Sequence, residues 1–226
     1  MKEKFERIIP YYGKEKFETL QSKKVLVFGL GGVGGYVVDG LIRNGILNIG
    51  ICDGDKVELS NFNRQIIALE SNLNKQKVNA MEERILDINS DVNVTKYDFF
   101  VDENTINDIE FTKYDLIIDC IDDVKAKIMI IEKAKLSNVE IISCMGTANK
   151  NDPNAFKIVD INQTSYCPLA KKVRTELKKK NISNVKVCFS NEVINNNSNV
   201  LLSPLYVVAS SSYVILKEAI KVLLSD

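Results

Sequence analysis

Residues 24–45 read KVLVFGLGGVGGYVVDGLIRNG, residues 47–55 read LNIGICDGD, and residues 56–65 read KVELSNFNRQ. Val25, Leu26, Val27 and Phe28 form a short apolar run with β-branched members, the pattern of a buried strand, and a glycine turn follows at once. Gly29, Gly31 and Gly34 fit G-x-G-x-x-G, with further glycines at Gly32 and Gly35. Glycines in that setting permit a tight turn and let main-chain N–H groups approach an anion at a helix N-terminus. Asp53 ends the next apolar run, at the spacing of about 20 residues that sets an acid on a ribose hydroxyl. A strand packed tightly on a helix, with no ligand, needs the glycines but not that acid. The stretch therefore reads as a nucleotide site.

Outward from this turn, apolar runs and helical periodicity alternate. A helix over 33–44 ends at Gly45, a strand covers 48–52, and an amphipathic helix covers 75–89 with Val78, Met81, Ile85 and Ile88 on one side. Strands follow at 92–97, 116–120 and 140–145, separated by a short helix over 102–109 and a longer one over 125–138. The run 116–120 is almost wholly apolar, as suits a parallel strand covered on both faces. The fold expected is α/β, a doubly wound Rossmann-like, mostly parallel sheet with added C-terminal strands and helices. The additions are strands at 156–161 and 185–189, a helix from Pro168 with Leu169, Val173 and Leu177 on its seam, and a closing helix over 203–224. The low-complexity stretch 191–199, NEVINNNSN, reads as a mobile loop. No linker divides the chain, so one domain over 1–226 is expected. It comprises a helical arm (1–22), a nucleotide-binding core (24–146) and a substrate and dimer half (147–226).

Composition excludes more than it selects. Of 226 residues, 45% are apolar and 27% charged, and 30 cations balance 30 anions, so any basic surface must be local. The N-terminal MKEKFERIIP lacks the apolar core of a signal peptide and no run approaches a membrane span, which points to the cytoplasm. With no histidine, mixed Cys/His zinc sites and Ser-His or Cys-His nucleophiles are excluded. The five cysteines, Cys52, Cys120, Cys144, Cys167 and Cys188, include no C-x-x-C pair, so no structural zinc is expected. Chemistry must rest on Arg, Lys, Asp, Asn, main-chain dipoles, an oxygen-held metal, or an unassisted thiol.

In a doubly wound sheet the ligand lies beyond the carboxyl ends of the strands. Asp53 ends the second strand and Asp122 follows the fourth, so both face that crevice. Asp55, Asn61, Arg64 and Gln65 lie in the loop after Asp53, and Lys77 opens the next helix. Two cations, amide donors and a strand-end carboxylate suit a triphosphate with Mg²⁺ better than a nicotinamide. Arg64 and Lys77 taken alone would equally fit a solvated face, and so would Arg7, the only arginine of the arm.

The strings GLGGVGG, D-G-D-x-V-x-x-S-N-x-N-R-Q, K-x-K-V and D-C-I-D-D together resemble the adenylating superfamily of ubiquitin-activating and sulfur-carrier-activating enzymes (ThiF/MoeB-type). That resemblance implies adenylation of a carboxylate with ATP and Mg²⁺. It implies a phosphate cradle at Gly29, Gly31 and Gly32, ribose binding by Asp53, and phosphate contacts from Asn61, Arg64, Gln65 and Lys77, with Asp55 beside them. It also implies Mg²⁺ held through ATP near Asp122. Arg7 would reach the nucleotide of a partner protomer, which implies a homodimer. The second half carries M-G-T-A-N-K, D-P, C-P-L-A-K-K-V-R and V-C-F-S-N-E, and resembles the tRNA threonylcarbamoyladenosine dehydratase family. Such an enzyme cyclises the threonylcarbamoyl group on the adenosine next to the anticodon. Cys167 stands where that pattern has an aspartate before the helix proline, so a capping carboxylate is lost. The 191–199 loop looks shortened against the same pattern. The resemblance leaves room for a monovalent cation and a sulfur-transfer partner protein, and for ring closure through either the urea oxygen or a urea nitrogen.

Two features bear on tRNA as partner. Cyclisation draws its nucleophile from the substrate's own urea, so no protein thiol is needed. The segment 171–186 carries Lys171, Lys172, Arg174, Lys178, Lys179, Lys180 and Lys186 against Glu176 alone, a face that would suit a phosphate backbone or simply be solvated. The alternative activity is an adenylyltransferase acting on the C-terminus of a ubiquitin-like sulfur carrier, with Cys188 or Cys144 as acceptor. A nucleotide-binding adaptor without turnover is the non-enzymatic reading.

Overall fold

Each strand of the sheet is a run of four or five residues, the central ones rich in Val, Ile and Leu, and most are buried from their second residue on, a pattern that forces cover on both faces. In the computed structural model, which describes residues 2–193 and 200–225, these strands are β1 (Lys24–Phe28), β2 (Asn48–Cys52), β3 (Asn93–Tyr97), β4 (Leu116–Asp119), β5 (Glu140–Cys144), β6 (Phe156–Asp160) and β7 (Lys186–Ser190). They form a seven-stranded sheet in the order β3-β2-β1-β4-β5-β7-β6. All pairs are parallel except β6 with β7. The chain leaves β1 toward β2 and returns on the other side at β4, so the switch point lies between β1 and β4.

The helices are α1 (Ile9–Tyr12), α2 (Lys14–Ser22), α3 (Gly34–Arg43), α4 (Lys77–Ile88), α5 (Val124–Leu136), α6 (Pro168–Lys179) and α7 (Leu205–Leu224). Side chains alternate across β1. Val25 and Val27 join Leu41, Met81 and Ile215 in one core, and Leu26 and Phe28 join Ile130, Val173 and Leu177 in the other. Thus α3, α4 and α7 cover one face, and α5 and α6 the other.

One expectation is amended, and one falls largely outside the described residues. The short helix expected over 102–109 is a single 3₁₀ turn, Thr105–Asp108. The Asp102 carboxylate accepts from the N–H groups of Asn104 and Thr105, at 2.8 and 2.9 Å, and draws the chain into a turn. The stretch 191–199 lies outside the described residues from 194 onward. Among the described residues, no helix is long and apolar enough to cross a membrane.

Candidate active site

The glycine turn begins where β1 stops. Gly29 adopts φ +82°, and a Cβ there would lie 2.9 Å from the Cys120 carbonyl, so the loops after β1 and β4 run in main-chain contact. Gly34 opens α3 so close behind the turn that a Cβ would sit 1.8 Å from the Gly29 oxygen. Together they press the first turn of α3, with its free N–H groups, against the strand end. Helix α7 supports the arrangement from below: Ser212 Oγ donates to the Val33 carbonyl at 2.9 Å, and Val208 fills the space a Cβ on Gly32 would take.

Beyond the turn lies a cavity of about 760 Å³, bounded by the carboxyl ends of β1, β2, β4 and β5. Gly29, Gly31, Gly32, Asp53, Asp55, Asn61, Arg64, Gln65, Lys77 and Asp122 all line it. Tertiary structure thus brings together every residue singled out for nucleotide binding except Arg7.

The Asp53 carboxylate receives the Leu30 N–H at 2.7 Å and the Asp55 N–H at 2.9 Å, which fixes it against the glycine turn. Burial raises its pKa, while the Lys77 ammonium and these N–H groups offset part of that rise. Lys77, 5% exposed, donates to Asp55 Oδ2 at 2.9 Å, with the carboxylate on the solvent side. Arg64 Nη1 donates to the Ser60 carbonyl and to Asn63 Oδ1, both at 2.9 Å. Asn61 caps its own turn, accepting from the Glu58 N–H at 3.1 Å. Gln65 is buried with no partner for Oε1 among the described residues, and its Nε2 lies 3.7 Å from the point a Cβ on Gly31 would occupy. A buried amide with an unmet valence over a bare glycine fits a polar ligand in the cradle.

Asp122 is exposed at the mouth, and Asp123 beside it caps α5 through the Ala126 N–H at 2.8 Å. Among the described residues no group of three or more Cys, Asp or Glu is placed to hold a metal ion. One free carboxylate facing a triphosphate site suits Mg²⁺, which keeps its waters and takes one or two carboxylates besides the phosphates. Arg7 is exposed on the arm, in a separate recess that includes Arg43.

Several features escaped the sequence reading. Lys127 and Asp119, both fully buried, pair at 2.7 Å beneath the cavity floor, and Lys127 also donates to Ser143 Oγ and the Cys144 carbonyl. The only signal was a lysine inside an apolar run. Asn63 Nδ2 reaches the Ser203 carbonyl at 3.2 Å and so ties the loop after β2 to the lead-in of α7. Thr147, Lys150, Cys167, Leu169 and Leu201 form the far wall. The lost capping carboxylate is replaced by a weak cap, in which Cys167 Sγ accepts from the Ala170 N–H at 3.5 Å.

Two readings need correction. The cations of the segment 171–186 are opposed by more than Glu176, because Glu132 of α5 holds Lys180 at 2.8 Å and Glu218 of α7 holds Lys186, at the start of β7, at 3.2 Å. Arg174 donates to Thr164, and Lys179 pairs with Glu176 at 2.7 Å. Lys171, Lys172 and Lys178 remain exposed without a carboxylate partner among the described residues. Cys188, named as an acceptor, is fully buried, with its thiol turned to the Ser211 carbonyl on α7.

Residues 5–226 match the ThiF family. A tRNA threonylcarbamoyladenosine dehydratase of Bacillus subtilis is 40% identical over 181 residues, covering 80% of this chain and 71% of the relative. Its counterpart in Escherichia coli is 34% identical over 167 residues, covering 74% of this chain but only 62% of the relative. A crystal structure of the E. coli tRNA N6-threonylcarbamoyladenosine dehydratase in complex with ATP matches with a TM-score of 0.93 and 29% identity, over 99% of this chain and 94% of that one. By sequence and by fold, this chain belongs to the ThiF family, in the group whose curated members bear the name tRNA threonylcarbamoyladenosine dehydratase.

Proposed function

We propose that this chain is an ATP-dependent tRNA threonylcarbamoyladenosine dehydratase. The observation that carries the reading is the convergence of glycine turn, Asp53, Arg64, Lys77 and Asp122 on one cavity, in a chain that shares 40% identity with a relative of that name. In this reading the turn and the first N–H groups of α3 hold the phosphates, Asp53 orients the ribose, and Arg64 and Lys77 offset phosphate charge. Asp122 and the phosphates would hold Mg²⁺, which when bound supplies further neutralisation of the leaving pyrophosphate.

Two displacements follow. A threonyl carboxylate oxygen attacks the α-phosphorus and pyrophosphate leaves, giving an acyl-adenylate. The urea oxygen or nitrogen then attacks the acyl carbon, AMP leaves, and a urea N–H proton is lost; the tRNA ends one water lighter. The second step is intramolecular, and alignment alone supplies effective molarities of ~10⁵ M or more. The protein's part is to bind, orient and neutralise. Arg7 acts in this scheme on the site of a second protomer. The exposed Lys171, Lys172 and Lys178 of α6 offer a local track for RNA phosphates, whose binding would fall with salt.

The test is mass spectrometry of nucleosides from threonylcarbamoyladenosine-containing tRNA after incubation with the protein, ATP and Mg²⁺. A product lighter by one water, matched by AMP, is the expected result. ATP–pyrophosphate exchange that depends on a carrier protein and ignores tRNA would transfer the assignment to the sulfur-carrier class. The burial of Cys188 counts against it as the acceptor in that class, which leaves Cys144, at the cavity wall, as the thiol such a route would use.

A further inference from the structure

Lys77, Lys127 and Lys150 are buried among the described residues. The first two hold carboxylates, Asp55 at 2.9 Å and Asp119 at 2.7 Å. Lys150, 2% exposed, has no carboxylate at ion-pair distance among the described residues; its ammonium donates to the main-chain carbonyls of Glu192 at 2.7 Å and Ser190 at 3.5 Å. The Glu192 carboxylate is committed elsewhere, to the N–H groups of Asn151 and Asp152 and to Ser190 Oγ. An ammonium has three donors, so one remains for a ligand. Burying a cation with no carboxylate in contact is costly, and burial pushes the Lys150 pKa down although the nearby Cys167 and Glu192 offset part of that shift. An incoming anion would relieve that cost.

Lys150 also lines the wall of the nucleotide cavity, on the side where Cys167 and Leu169 bring in the N-terminal turn of α6. That twelve-residue helix turns its positive end to the same space. The geometry points to Lys150 as the residue that receives the substrate's free carboxylate, holding the threonyl acid beside the α-phosphate. This rests on the dehydratase reading and names the group that its acyl substrate meets. A carboxylate approaching a triphosphate is repelled, and a desolvated cation in the facing wall offsets the repulsion. Once the acid becomes a mixed anhydride its charge is gone, Lys150 loses its partner, and the acyl group is released to the urea. The contribution belongs to substrate binding, so it acts on KM more than on kcat.

The experiment compares the full chain with Lys150→Gln, which keeps a donor for the Glu192 carbonyl, with Lys150→Met, and with Lys150→Arg. ATP affinity is read by calorimetry, and AMP release is followed as threonylcarbamoyladenosine-containing tRNA is varied. The neutral variants should raise KM for the tRNA about 30-fold, the range of a lost charge-assisted hydrogen bond, with ATP affinity within about twofold. Lys150→Arg should restore most of the loss. In competition, the wild type should prefer the threonylcarbamoyladenosine nucleoside over its methyl ester, and the neutral variants should not. Unchanged KM, or equal losses toward ATP and tRNA, would overturn the role of Lys150. A wild-type chain that makes no dehydrated tRNA would overturn the dehydratase reading instead, and acid-over-ester preference would still decide the anion site.

Discussion

Arg64 and Lys77 test the site at the level of single residues. Lys77 is buried and its bonded partner Asp55 is half-exposed, but its ammonium also offsets the burial of Asp53, so truncation leaves that carboxylate less compensated. Among the described residues Arg64 hydrogen-bonds only within its own loop. Arg64→Ala should therefore melt near the wild-type temperature and Lys77→Ala below it, while AMP release falls about 10²–10³-fold in both, as for other losses of phosphate-charge stabilisation. Melting curves taken beside turnover separate the two effects. Cys167 makes the opposite case. A thiol at 3.5 Å is a poor acceptor, and a carboxylate would cap α6 properly with the Lys150 ammonium nearby. Cys167→Asp should stabilise the chain by about 1 kcal/mol, a rise of roughly 2–4 °C in Tm by calorimetry.

At the scale of elements, the β1–α3 turn separates two demands that look alike in the motif. Gly34 is required by packing, since a methyl there would meet the Gly29 oxygen at 1.8 Å. Gly31 has no atom nearer than 3.7 Å, and its openness toward Gln65 is the cradle itself. Gly34→Ala should yield chain that is unfolded or severely destabilised by circular dichroism. Gly31→Ala should fold normally, yet lose ATP affinity in a calorimetric titration, because the methyl stands where phosphate oxygens approach main-chain N–H groups. Similar loss of stability in both would mean that the cradle is only a packing device.

For the molecule as a whole, the Lys127–Asp119 pair joins β4 to β5 under the cavity floor, with every ammonium donor satisfied. Lys127→Met would strand a fully buried carboxylate, at a cost of about 3–5 kcal/mol, seen as a lower urea midpoint with unchanged slope. Arg7 lies away from its own chain's cavity. Should it serve a second protomer, Arg7→Ala and Arg64→Ala chains, each inactive, should complement when mixed and re-associated. Equal mixing leaves one intact site in half of the dimers, hence about a quarter of wild-type AMP release. No recovery would mean that Arg7 does not act on the site of a second protomer.

How much of this was legible in advance follows from the range of the forces involved. Strand runs, the glycine turn and Asp53 were readable because each depends on neighbours a few positions away, and the doubly wound order follows from their alternation. Whether a charge is solvated, paired or held in reserve was not readable, because that depends on elements far apart in the chain. Lys180 looks like one of a basic run until Glu132 of α5 meets it, and Cys188 looks available until α7 closes over it. The sequence by itself determined the sheet, the nucleotide turn and the family. Only the tertiary structure decided which of three buried lysines makes no direct ion pair among the described residues, because counter-ions are set by packing across the fold rather than by order along the chain.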